Sequence, residues 1–184
     1  MLVQSNMLPL GTKAPEFALA DMATGKIKTL QQLAGKNGTF IIFICNHCPY
    51  VKHILPKLIK CMHFAQSVDI GAIAINANDT TKYPEDNQKN MAELCQKNNF
   101  TYLFDESQQT AKNYNAACTP DCFVFDNQQL CVYRGRFDAS TPGNNIPPSG
   151  ADVLYILQSI LTKQDCKTIE QHPSMGCNIK WKEN

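Results

Sequence analysis

An α/β fold is predicted by three features of this chain of 184 residues: two short unbroken apolar runs at residues 39–44 and 70–75, an amphipathic stretch joining them, and hairpin patterns on either side. Unbroken apolar runs of this length are the pattern of strands covered on both faces, so both belong in the middle of a sheet. Between them Val51, Ile54, Leu55, Leu58, Ile59 and Met62 fall at offsets 0, 3, 4, 7, 8 and 11, which is one face of a helix. Strand, helix, strand implies a right-handed parallel crossover. Pro56 lies inside the helical pattern, where its ring removes a backbone donor and crowds the preceding turn; one kinked helix is expected rather than two.

The other elements follow from turn chemistry and period. Residues 17–21 and 26–28, with a turn at 22–25, read as an N-terminal hairpin. A polar stretch at 76–87 precedes a helical segment carrying Met91, Leu94 and Cys95, then a short strand at 102–104 and a short helix at 108–114. Residues 122–125 and 130–133, separated by Asp126-Asn127-Gln128-Gln129, read as a second antiparallel hairpin. A Pro/Gly/Asn-rich loop at 141–150 leads to a last helix with Val153, Leu154, Ile156, Leu157, Ile160 and Leu161. The chain divides into one body, residues 1–162, and an extension, residues 163–184, expected to pack on that body because a lone Trp, Trp181, is seldom left in a free tail.

Composition narrows the function. Lys and Arg total 17 against 16 Asp and Glu, so the basic excess needed to bind a row of phosphates is missing, and no nucleic-acid partner is expected. The longest strongly apolar run is about seven residues where a membrane-spanning helix needs about 20, so no membrane partner is expected either. Residues 1–7 lack a basic segment followed by a long apolar one, which makes the cytoplasm the expected compartment. There, most of the nine cysteines are expected as buried thiols.

Two of those cysteines stand apart. Cys45-Asn46-His47-Cys48 follows the first central strand and opens the helical segment. Backbone N–H groups in a first helical turn are unpaired and the helix dipole is positive there, which stabilises a thiolate, the form that attacks disulfides. On this placement Cys45 is expected to be the exposed nucleophile, and Cys48, one turn on, to resolve the mixed disulfide. A cationic His47 would favour the thiolate and make the couple more oxidising. A Cys-x-x-Cys also serves as half a metal site or as two packing thiols; soft thiolates suit zinc or copper(I), and His53 or Cys177 could complete a ligand set. Haem attachment is excluded because Pro49 follows Cys48.

Taken with Gly11-x-x-Ala14-Pro15-x-Phe17-x-Leu19 and a hairpin introduced by Thr119-Pro120, the Cys45-x-x-Cys48 helix makes residues 9–162 resemble the thioredoxin-fold superfamily. More narrowly, Phe43-Ile44-Cys45-Asn46-His47-Cys48-Pro49-Tyr50-Val51-Lys52-His53, Ala117-Cys118-Thr119-Pro120-Asp121, Tyr133-Arg134-Gly135-Arg136-Phe137-Asp138 and Gly176-Cys177-Asn178-Ile179-Lys180-Trp181 resemble the peroxiredoxin-like thioredoxin-family proteins, related to the alkyl hydroperoxide reductase and thiol-specific antioxidant family. The resemblance implies a thioredoxin-like fold with a central mixed sheet flanked by helices, a disulfide-active Cys45/Cys48 pair, and a cis peptide at Thr119-Pro120 that faces the pair and offers backbone groups to a substrate. No organic cofactor or metal is needed for such exchange; the implied partners are protein or small-molecule disulfides and a thiol reductant.

The chain also departs from its relatives. The peroxidase frame Pro-x-x-x-Thr/Ser-x-x-Cys is replaced by Gly38 and Ile42 before Cys45, and by Ile41 and Cys45 before Cys48. Apolar side chains cannot stabilise charge on a leaving peroxide oxygen, which leaves at most weak thiol peroxidase activity. Typical thioredoxins carry Trp before the first cysteine and Gly-Pro within the pair, where this chain has Ile44 and Asn46-His47. Cys118 precedes Thr119-Pro120, and Cys177 lies in a tail that also matches the narrower family, so an accessory Cys118–Cys177 disulfide or relay is a further expectation. The sequence therefore points to thiol–disulfide exchange, with a thiolate metal-binding module, a weak thiol peroxidase and a thioredoxin-like interaction domain without turnover as alternatives.

Overall fold

Strand β4 (Gly38–Phe43) is buried along its whole length, as its unbroken apolar run predicts. The computed structural model describes residues 1–166 and 169–183, so the extension expected over 163–184 lies outside the described residues at Lys167, Thr168 and Asn184. Strand β4 pairs in parallel with β5 (Ile70–Asn76), Gly38 opposite Ile70 and Phe43 opposite Ile75, and α2 (Pro49–Ser67) makes the crossover between them. Helix α2 continues through Pro56 as one element.

Around this unit the sheet grows in both directions. Strand β6 (Thr101–Phe104) adds in parallel to β5; β2 (Ala18–Asp21) pairs antiparallel with β6, and β3 (Ile27–Thr29) with β2. On the other side β8 (Asp121–Phe125) runs antiparallel to β4, and β9 (Cys131–Gly135) to β8. The order β3-β2-β6-β5-β4-β8-β9 is a mixed sheet containing both hairpins expected from the sequence.

Side chains of β4 alternate between two cores because successive residues of a strand point to opposite faces. Phe40 and Ile42 pack with α2, α3 (Gln88–Asn98) and α5 (Ala151–Leu161), while Ile41 and Phe43 pack against Leu30 of α1 (Leu30–Leu33), Ala111 of α4 (Gln109–Asn113) and Tyr114. Covering on both faces is what makes an apolar run without alternation stable.

The short strands β1 (Leu2–Gln4), β7 (Cys118–Thr119) and β10 (Met175–Asn178) form a second sheet in the order β1-β10-β7. None of them is predicted by pattern, because each is too short and mixed to show a period. Strand β10 brings the tail back to the body, but the anchor is Ile179, 1% exposed, and not Trp181, which is 39% exposed with the Lys112 ammonium over its ring. Lys180 completes the attachment: its N–H donates to Asn78 Oδ1, and its carbonyl accepts from the Asp79 N–H, both at 2.9 Å.

Leu58, fully buried on α2, makes a direct test of this core. Leu58→Ala is expected to lower the free energy of unfolding by about 2–5 kcal/mol, read from denaturant midpoints; a change below the lower figure would mean that the α2 face is not a packed core.

Candidate active site

The Cys45-Asn46-His47-Cys48 loop departs from the sequence expectation at its helix boundary. Strand β4 ends at Phe43, and α2 begins at Pro49 with Cys48 as its N-cap. Proline suits the first helical position because its ring presets φ and its missing N–H would have been unpaired anyway. Cys48, rather than Cys45, therefore stands at the helix start, and Cys45 lies in the preceding loop. Neither is an exposed nucleophile, with Cys45 1% and Cys48 0% exposed.

Both sulfurs converge on one residue. Cys45 Sγ lies 3.5 Å from Thr119 Oγ1, and the Cys48 thiol donates to the Thr119 carbonyl at 3.2 Å. Thr119 is joined to Pro120 by a cis peptide bond, and strand β7 carries it to the pair. The two thiols differ in acidity. Cys48 is lowered to about 4, mainly by the neighbouring Cys45 thiol, then by the Thr119 hydroxyl, the Val51 N–H and the Cys177 thiol, against the cost of burial. Cys45 is pushed far above the ordinary thiol range by the Cys48 sulfur, by burial and by the Asp86 carboxylate. The loss of one proton from the pair leaves a sulfur that accepts a hydrogen bond from the other, which is the main cause of both shifts.

Asp86, which sequence reasoning missed, holds the loop in place. Its side chain is fully buried, and its Oδ1 accepts from the backbone N–H groups of Asn46 at 2.7 Å and His47 at 3.3 Å. Its Oδ2 accepts from His47 Nδ1 at 2.7 Å and Asn78 Nδ2 at 2.8 Å. A carboxylate only accepts, so His47 carries its proton on Nδ1. The His47 ring stacks on Tyr83 with centroids 5.4 Å apart, and Tyr102 donates to Asn46 Oδ1 at 3.1 Å. His47 alone was expected to favour a thiolate, but at Cys45 the Asp86 charge acts in the opposite direction. Asp86 sits in a polar stretch of ordinary loop composition, and no spacing in the sequence links it to the cysteines.

The remaining expected residues separate. Strand β10 places Cys177 opposite Thr119 and Asn178 opposite Cys118. Directly opposed residues share a face and adjacent ones alternate, so Cys177 lies on the Thr119 face with the thiol pair, while Cys118 points to the other face. This register argues against the expected Cys118–Cys177 pairing. Cys118 is buried, with its sulfur 3.7 Å from the Pro120 carbonyl oxygen. Asp121, next after Pro120, is also fully buried, and burial pushes its carboxyl well above the usual carboxylate range against the opposing pull of the Ala117 backbone and the Ser174 side chain.

For a metal, Cys45, His47 and Asp86 offer ligand atoms within 4.8 Å of one another. Binding there would compete with the bonds by which Asp86 holds the loop. His53, considered as a ligand from sequence, instead has a buried Nε2 without a partner among the described residues. Among the described residues no helix is long and apolar enough to cross a membrane.

The AhpC/TSA family profile matches residues 10–134. No curated protein matches the chain. An uncharacterised conserved protein from Geobacillus kaustophilus superposes with a TM-score of 0.96 at 42% identity, over 100% of this chain and 98% of that one. A hypothetical protein from Sinorhizobium meliloti gives 0.93 at 38% identity, over 98% and 99%. The thioredoxin domain of a thiol-disulfide oxidoreductase from Bacteroides vulgatus gives 0.60 at 13% identity, over 82% of this chain and 99% of that one, a likeness of fold alone.

Two measurements test the site. Asp86→Ala leaves buried N–H donors without a partner and is expected to cost about 3 kcal/mol in denaturant unfolding; a loss under about 0.5 kcal/mol, the range of ordinary surface substitutions, would show that the carboxylate does not hold the loop. Because Cys48 is lowered to about 4, its thiolate is present above that pH and is lost as pH falls through it. The ultraviolet thiolate absorbance of the reduced protein should follow that course and vanish in Cys48→Ser; an ordinary thiol titration in the alkaline range would contradict the assignment.

Proposed function

The chain belongs to the AhpC/TSA family, with a thioredoxin-like fold, and from that premise we propose that its Cys45/Cys48 dithiol exchanges with protein or small-molecule disulfides. The observation that carries the reading is the convergence of both sulfurs on Thr119 beside the cis peptide.

In this proposal the Cys48 thiol, lowered to about 4, takes the attacking role that the sequence alone suggests for Cys45. The Cys48 thiolate attacks one sulfur of the substrate disulfide, forms a mixed disulfide and releases the other sulfur as a thiolate. Cys45 then attacks Cys48 Sγ, its proton leaves with the departing thiolate, and the Cys45–Cys48 disulfide forms. A cleft lined by Tyr50, Ile54, Pro120 and Phe137 together with Arg136 and Asp138 adjoins the cis-proline and gives a docking surface of mixed polarity for the substrate. Asp86 and His47 act as positioning residues, holding the loop that presents Cys45. Thr119 and Pro120 shape the wall against which the substrate lies.

Peroxide reduction is less well supported despite the family's name. Ile41 and Ile42 are buried in β4 and supply no donors. Arg134 is committed to the Leu8 carbonyl and Gln171, and Arg136 to Asp152. The metal-binding reading draws on the Cys45, His47 and Asp86 grouping.

A redox titration in defined thiol/disulfide buffers, with the Cys45–Cys48 bond read by mass spectrometry, tests the proposal. The expected result is a reversible two-electron transition that is lost in both Cys45→Ser and Cys48→Ser. Finding no reversible bond, with stoichiometric metal in protein purified without chelator and released on alkylation of the cysteines, would replace exchange by metal binding. Rapid turnover of hydrogen peroxide would replace it by peroxidase chemistry.

A further inference from the structure

A pair this deeply buried poses a problem of access. Every described cysteine is buried except Cys177, which is partly exposed. Cys177 lies directly across the β7/β10 ladder from Thr119, the residue whose carbonyl accepts from the Cys48 thiol at 3.2 Å. The approach of these strands is set by Gly176, where a Cβ would collide with the Thr119 carbonyl. Cys177 is thus held on the face of Thr119 that carries the redox pair, near enough for its thiol to stabilise a Cys48 thiolate. Burial and the neighbouring Cys48 sulfur push the Cys177 thiol up to about 11, against a smaller opposing pull from Lys180, whose ammonium lies on the Asn178 carbonyl and side chain at 3.0 and 2.9 Å.

We propose that Cys177 is a third redox cysteine, which takes over the disulfide from the buried pair and presents it to a low-molecular-weight thiol reductant. This rests on the disulfide-exchange reading and extends it by naming the route of the electrons. Cys177 gives up its proton as it attacks Cys48 Sγ of the Cys45–Cys48 disulfide; the Cys48–Cys177 bond forms, the Cys45–Cys48 bond breaks, and Cys45 leaves as a thiol by taking up that proton. No net oxidation occurs in this step. A small thiol then attacks Cys177 Sγ and releases Cys48 as a thiolate. A second small thiol attacks the reductant sulfur of the Cys177 mixed disulfide and expels Cys177, which takes up the proton, so two reductant thiols become one disulfide and the protein regains its dithiol.

The geometry explains why attack is directed at these atoms. Cys177 is the sulfur a reductant can reach, and attack on it expels Cys48, whose thiolate is stabilised by the Cys45 thiol and then by the Thr119 hydroxyl and the Val51 N–H. Cys118 takes no part, since it faces away from the pair.

The test is non-reducing peptide mapping of acid-quenched, alkylated protein after equilibration in glutathione redox buffer. Cys45→Ser is expected to accumulate a Cys48–Cys177 disulfide. Oxidised Cys177→Ser, still carrying Cys45–Cys48, is expected to be reduced by glutathione about tenfold more slowly than wild type, since a buried disulfide offers little access to the attacking thiol. Circular dichroism verifies that both variants are folded. A wild-type protein that forms the Cys45–Cys48 bond reversibly, while Cys45→Ser forms no Cys48–Cys177 bond and Cys177→Ser is reduced at the wild-type rate, overturns the relay alone. A Cys118–Cys177 linkage in place of Cys48–Cys177 also overturns it. A wild-type protein with no reversible Cys45–Cys48 bond overturns both the relay and the exchange reading beneath it.

Discussion

The buried carboxylate of Asp86 is the constraint from which the site is built. Between the end of β4 and the start of α2 the chain has no regular hydrogen-bond partners, and the N–H groups of Asn46 and His47 would be left unpaired. Asp86 satisfies both and binds the His47 ring as well. A buried carboxylate is stable only when its oxygens are filled, and here they are filled by the loop it holds. The same charge adds to the Cys48 sulfur and to burial in raising the Cys45 thiol, so the residue that shapes the loop also acts on the pair.

Opposite this loop stands Thr119, and its position depends on two chain crossings. Strand β8 is fixed against β4 in the main sheet, which brings the preceding Thr119-Pro120 segment to the end of β4, where Cys45 follows. Strand β10 then lies against β7, and its glycine permits the close backbone approach that carries Cys177 to the same place. Three thiols from residues 45, 48 and 177 meet because the central sheet and the small second sheet share this one stretch of chain.

Much of the fold was readable in the sequence for a definite reason. The strands at 39–44 and 70–75 and the helix between them carry apolar periods long enough to reveal both element type and burial. The hairpins carried turn residues between apolar runs. The small sheet was not readable, because β1, β7 and β10 are two to four residues long and find one another across most of the chain. Trp181 is the residue from which an attached tail is expected, whereas the contacts of the described tail are made by Ile179 and the backbone of Lys180.

The sequence by itself determined the parallel core, the presence of a Cys-x-x-Cys between strand and helix, and the family to which these motifs point, since each is written in local period and spacing. Tertiary structure alone decided which cysteine caps the helix, which carboxylate faces the pair, and that Cys177 lies on the Thr119 face while Cys118 points away. Those outcomes depend on Pro49 taking the first helical position, on Asp86 reaching a loop 40 residues before it, and on the β7/β10 register. Contacts between distant segments leave no periodic trace in the chain, whereas a helix face or a buried strand repeats its signal every few residues.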